Sequence, residues 1–154
     1  DLKNFAAQKK EILKIKSIKA DIGLLVDEKS INRIPPSDDY VFIKTAAKSL
    51  IEQKKSYILY DFELQEKNDF LHHRNSGLNQ VFCQIMKEKE KILGISFSTL
   101  LNANKKGAIL GRMQQNARLS KKFKLKTVAA SFAKTPYELR AEHEIKSFEK
   151  ILGL

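Results

Sequence analysis

Ile92-Leu-Gly-Ile-Ser-Phe97, the segment Lys105 to Phe123, and Leu125-Lys-Thr-Val-Ala-Ala-Ser131 together decide the fold. The outer two are short stretches, too brief for helices and rich in strand-forming residues, so they read as strands. The segment between them has a helical period and is long enough to carry the chain from the end of one strand to the start of a parallel neighbour. The unit is β-α-β, and the same alternation extends from it in both directions. Toward the N-terminus, Ser76 stands where a cap is needed before a helix with Leu78, Val81, Phe82, Ile85 and Met86 at i, i+3, i+4, i+7 and i+8. Asp61 to Asn75 reads as a long polar loop, preceded by a strand at Ser56–Tyr60, a helix at Ala46–Lys54 and a strand at Tyr40–Lys44. Pro35 and Pro36 bar helix and sheet pairing in the loop before it. Ala20–Val26 reads as another buried strand, after a Lys-rich helical stretch from Asn4 to about Ile18. Toward the C-terminus, Pro136 opens a helical region running to Leu152.

The expectation is one α/β domain over residues 1–154 with a mostly parallel sheet. Five strands are too few to close an eight-stranded barrel, a fold of typically about 250 residues, so an open or incomplete barrel is expected. In either form the functional loops lie beyond the C-terminal strand ends, near Asp27, Lys44, Asp61, Ser98 and Ser131.

Composition narrows the function classes. The longest uninterrupted aliphatic stretch, Ile22 to Val26, falls far short of the roughly 20 residues of a membrane-spanning helix, which argues for a cytoplasmic protein with no membrane partner. Cys83 is the only cysteine, which excludes an intrachain disulfide and a multi-cysteine zinc site; it lies at the edge of an apolar stripe and reads as a packed residue. The formal charge is +11, and it is unevenly placed: residues 1–76 carry 14 basic and 12 acidic side chains, residues 77–154 carry 15 and 6. From Lys91 to Lys134 there are ten basic residues and no acidic one. A field of one sign attracts a polyanion, although a solvated helix face that keeps the protein soluble has the same composition. On a helical wheel Ile109, Leu110, Met113 and Ala117 share one arc, with Lys105, Arg112, Arg118 and Lys122 over the other side, a pattern shared by a phosphate-tracking surface and an ordinary surface helix.

Only five of the 29 basic residues are Arg: Arg33, Arg74, Arg112, Arg118 and Arg140. Where a Lys-rich chain still uses Arg, a planar fork to phosphate, carboxylate or a base edge explains the choice, with structural salt bridges as the alternative. His72 and His73 permit metal ligation, proton transfer or RNA contact, but neighbouring side chains diverge and the one further histidine is His143. There is no His-Glu-x-x-His, no phosphate-binding loop and no Gly-x-Gly-x-x-Gly, so neither a catalytic nor a metal-binding constellation is expected.

His72-His-Arg-Asn-Ser-Gly-Leu-Asn-Gln-Val81, Gly94-Ile-Ser-Phe-Ser98, Ile109-Leu-Gly-Arg-Met-Gln-Gln-Asn116, Val128-Ala-Ala-Ser-Phe-Ala133, Pro136-Tyr-Glu-Leu-Arg140 and the closing Ile151-Leu-Gly-Leu154 resemble archaeal ribonuclease P protein component 3. The resemblance is specific over about residues 56–154 and weak before Tyr40, where family members usually carry further barrel strands; a reduced or incomplete barrel follows. It implies a TIM-barrel-like (PHP-related) subunit, distantly similar to metal-dependent phosphoesterase barrels whose histidine ligands are missing here. The implied activity belongs to the ribonuclease P complex, an endonuclease that removes the 5′ leader from precursor tRNA. There the catalyst is the RNA with its magnesium ions, and the protein chain carries no cofactor. The implied partners are ribonuclease P RNA, precursor tRNA and a small ferredoxin-like protein subunit. By motif position, Arg74, Ser76, Asn79, Arg112, Asn116, Ser131 and Arg140 are then expected to line an RNA-facing strand-end surface. Lys105, Lys106, Arg118, Lys121 and Lys122 are expected to supply backbone contacts. Readings from other classes are a metal-dependent phosphoesterase and a protein-interaction scaffold without RNA binding.

Overall fold

The structure, a computed structural model, describes residues 23–26, 40–44, 48–52, 57–133 and 136–154. The expected helix at 4–18 and the Pro35-Pro36 loop lie outside them. The elements are β1 (Gly23–Val26), β2 (Tyr40–Lys44), α1 (Lys48–Ile51), β3 (Ile58–Tyr60), α2 (Gln80–Glu88), β4 (Ile92–Ser96), α3 (Phe97–Leu101), α4 (Lys106–Phe123), β5 (Lys126–Ala130), a 3-10 turn at Pro136–Glu138 and α5 (Glu142–Leu152).

The five strands form one sheet in the order β1-β2-β3-β4-β5, each pair parallel. Because the order never reverses, the sheet is wound as in a barrel rather than doubly wound. The expected incomplete barrel is what the chain forms. The helical layer follows the same series, with α1 against α2, α2 against α4, and α4 against α5. The core lies between this layer and one face of the sheet. Leu24, Val26, Val41, Ile43, Leu59, Leu93 and Ile95 from the strands meet Ile51, Cys83, Met86, Ile109, Met113, Ala117, Phe148 and Leu152 from the helices.

Four expectations are corrected. The helix after the polar loop is capped by Asn79, whose Oδ1 accepts the Phe82 N–H at 2.8 Å, and not by Ser76. Between the two, Gly77 at φ 78 turns the chain where a Cβ would meet the Phe62 carbonyl oxygen, so Ser76 is one turn too early to cap. On α2 the buried face runs through Cys83 and Met86, while Val81 is 55% exposed. The strand expected to reach Phe97 ends at Ser96, because the Ser96 Oγ accepts the Thr99 N–H at 3.2 Å and starts α3. Finally, Pro136 begins only a 3-10 turn, and the last helix starts at Glu142.

Candidate nucleic-acid interface

At the strand ends a polar chain links the elements. Asp61, at φ 63 just after β3, accepts from the Thr99 hydroxyl through Oδ1 at 2.5 Å and lies 3.5 Å from Lys44 Nζ through Oδ2. The Thr99 hydroxyl also reaches Ser96 Oγ at 2.9 Å, Ser96 Oγ lies 3.2 Å from Ser98 Oγ, and Ser98 Oγ donates to the Phe132 carbonyl at 2.9 Å. The Ser98 N–H donates to the Ser131 carbonyl at 3.0 Å. Phe132, at φ 49, is held in this rarely adopted backbone region by its ring, which stacks on Tyr60 at 4.8 Å and meets Phe42 edge-on at 4.9 Å. Four of the five loop starts expected to converge do so; Asp27 lies outside the described residues.

The second constellation joins α4 to the loop of residues 61–78. That loop is less polar in place than in composition, since Phe62 is fully buried and Glu63 is 2% exposed. Its outer run is gathered by one side chain. Arg112, 7% exposed, donates through Nη1 to the Glu63 and Gln65 carbonyls at 3.0 and 2.9 Å, and through Nη2 to the Lys67 carbonyl at 2.7 Å. Its Nε donates to Asp69 Oδ1 at 2.7 Å. The planar guanidinium reaches three alternate carbonyls plus a carboxylate, which a lysine cannot do. One turn further along α4, Gln115 exchanges hydrogen bonds with the backbone of Arg74, accepting its N–H at 3.2 Å and donating to its carbonyl at 2.9 Å, and also donates to Ser76 Oγ at 2.9 Å. Asn116 donates to the Ser76 carbonyl at 3.0 Å.

The electrostatics follow from this packing. Burial works against the Asp69 carboxylate, but donation from Arg112 and the Asn75 N–H, with the charges of Arg112 and Arg74, outweighs it and holds its pKa below the usual carboxylate range. Glu63 goes the other way: burial raises its carboxyl to about 7, helped by the nearby Asp61 charge and opposed by a hydrogen bond from Asn116. Its Oε1 and the Asn116 Oδ1 are both buried without a partner, so a neutral, protonated Glu63 is the form that this interior suits.

The expected site residues therefore separate into two groups. Ser76 and Asn116, each 1% exposed, and Arg112 have their polar groups turned inward onto partners within the chain. The two-faced wheel of α4 is corrected for the same reason: a third face, through Arg112, Gln115 and Asn116, is covered by the loop. Asn79 is committed to capping. Arg140 donates to the Tyr137 and Leu139 carbonyls at 3.0 and 2.7 Å and stacks its guanidinium 5.3 Å from the centre of the Phe97 ring. Ser131 is half-buried against α3. Arg74 is intermediate: its guanidinium rests on Gly111, where a Cβ would come within 2.3 Å of Cζ, yet its side chain stays 48% exposed, 3.8 Å from Asp69.

Lys105, Lys106, Arg118, Lys121 and Lys122 are all exposed, and with Arg74 they make the cationic face. Lys91, counted in the same basic segment, is instead buried over the Tyr57 ring at 4.8 Å. Cys83 is fully buried, and burial pushes its thiol up to about 11, which suits packing and not nucleophilic chemistry. Gln115 and Asp69 were not singled out from the sequence. Gln115 stands inside the Gln-Gln-Asn116 motif; Asp69 carries no local signal, because its partner is 43 positions away.

Among the described residues, no group of three or more His, Cys, Asp or Glu side chains could hold a metal ion, and no helix is long and apolar enough to cross a membrane.

No protein-family model matches the chain. Ribonuclease P protein component 3 of Methanosarcina mazei is 30% identical over 92 residues, covering 56% of this chain and 38% of the relative. The protein of the same name from Methanosarcina acetivorans is 29% identical over 92 residues with the same coverage. The chain thus spans well under half the length of these relatives. In fold it is similar to a chain in the cryo-EM structure of archaeal ribonuclease P with mature tRNA, with a TM-score of 0.75 at 19% identity over 97% of this chain and 68% of that one. Over those 92 residues the chain is thus similar in sequence to ribonuclease P protein component 3, the family that its motifs resemble.

Proposed function

We propose that the chain is a non-catalytic, RNA-binding protein subunit of ribonuclease P, which stabilises the catalytic RNA for removal of the 5′ leader from precursor tRNA. The observation that carries this reading is the division of labour on α4. Its inner faces hold the core and the 61–78 loop, while Lys105, Lys106, Arg118, Lys121 and Lys122 stand exposed in a segment without a single acidic residue. Such a surface displaces counterions from a phosphate backbone and needs no reacting group of its own. The names of the relatives and the barrel-type winding support the same assignment. Its partners in this reading are ribonuclease P RNA, precursor tRNA and a small ferredoxin-like subunit, with magnesium supplied to the RNA.

The test is cleavage of precursor tRNA by the cognate RNA plus the small partner protein at limiting magnesium, with and without this chain. Faster cleavage on its addition, and none from the proteins alone, is the expected result. No effect from folded protein would overturn the proposal. Turnover of a phosphate ester without RNA would instead make the chain a phosphoesterase, and tight partner binding without RNA affinity would make it a scaffold.

A further inference from the structure

The 61–78 loop carries at its tip a group that the clamp does not use. Phe70 and His73 stack with ring centres 4.6 Å apart and an interplanar angle of 20°, and the Phe70 N–H donates to the His73 carbonyl at 2.9 Å. Phe70 is nonetheless 62% exposed and Leu71 93% exposed. An apolar pair so open to water gains little stability from its position, and its immediate neighbours do not cover it.

Two features say what fits it. The tip is rigid at its base: Asn75 donates to the Asn68 carbonyl and, through its N–H, to Asp69, while Arg112 and Gln115 fix the chain on either side. A preorganised ring pair loses little freedom when a flat partner is added. The charge beside it is also suited to a polyanion. Arg74 follows His73 directly and lies on Gly111, and the helical row 111, 115, 118, 122 leads from there to the exposed Arg118 and Lys122. Arg118 is two turns of helix from Gly111, about 10 Å along the axis, within the span of two nucleotides. Of the nearby acids, Asp69 is paired with Arg112 and Arg74, and the exposed Glu66 is adjacent in sequence to the exposed Lys67.

We propose that the Phe70–His73 pair is a stacking seat for an unpaired nucleobase, with Arg74, Arg118 and Lys122 taking the phosphates of the same single strand. The seat rests on the RNA-binding reading above and adds to it a preference for unpaired nucleotides. Stacking supplies this preference because a base offers its flat face only when it is released from a duplex.

The chain has no tryptophan, so Phe70→Trp places a single indole at the seat. The full chain carrying it is titrated at low salt with a single-stranded RNA and with a blunt-ended, fully paired duplex of the same strand length. Saturable quenching by the single strand and none by the duplex is expected. Phe70→Leu, which keeps an apolar side chain but removes the ring, is expected to weaken single-strand binding about tenfold at an unchanged melting temperature. A single strand that binds without quenching, or Phe70→Leu binding as tightly as wild type, overturns the seat and leaves the RNA-binding reading intact. A wild-type chain that binds neither RNA overturns both.

Discussion

Replacing Arg112 by Ala removes four donors from the loop and leaves Asp69 and three carbonyls without them. Hydrogen bonds to a charged group are worth about 1.5–3 kcal/mol each, but the four share one side chain and the freed loop can rehydrate. The net loss is therefore set by one buried charged group and comes to about 3–5 kcal/mol, a large part of the roughly 5–15 kcal/mol that holds a domain together. Arg112→Lys keeps the charge and is expected to lose about 2–3 kcal/mol, because an ammonium cannot span the alternate carbonyls. Urea unfolding followed by circular dichroism measures both, and limited proteolysis should show cleavage appearing first within residues 61–76. RNA binding by the folded fraction of Arg112→Ala should keep the salt slope of wild type. An unfolding free energy within about 1 kcal/mol of wild type, together with a salt slope lowered by about one, would refute the clamp and return Arg112 to the RNA surface.

Gly111→Ala should leave stability within about 1 kcal/mol of wild type in the same unfolding assay, because helix propensity favours Ala by about 1 kcal/mol and the new Cβ meets only the Arg74 guanidinium, the half-exposed end of a flexible side chain that can swing aside; a loss well beyond about 1 kcal/mol would show that Arg74 is held fixed over Gly111. Glu63 has a folded-state pKa raised to about 7 from 4.5, so its contribution is fully present below about pH 4.5 and is lost as pH rises through 7. The wild type should therefore lose up to about 3 kcal/mol from this group between pH 4.5 and 8, and Glu63→Gln should abolish that part of the slope; an unchanged slope in the variant would assign it elsewhere. Arg118→Gln and Lys122→Gln should each lower the RNA salt slope by about one with melting temperature unchanged, and an unaltered slope would remove the outer face of α4 from the interface.

The alternation of short apolar runs with helical stretches was enough to specify a parallel α/β sheet, since strand and crossover lengths are local properties that a sequence records directly, whereas the strand order that makes its winding barrel-like is a tertiary property. The acid-free basic segment likewise announced a cationic face, because charge is additive along a chain. Element ends were less legible: Ser76 and Asn79 are equally good cap residues, and Gly77 at positive φ chose between them. The division among the site residues was settled by tertiary structure alone. Arg112 and Arg118 stand on the same helix and read alike in sequence, yet one is buried in a carbonyl cage and the other is open to water. What separates them is the loop around Phe62, anchored in the core and laid over one side of α4. Only folding brings partners more than 40 positions apart within hydrogen-bonding distance, and burial then turns a potential phosphate ligand into a structural clamp.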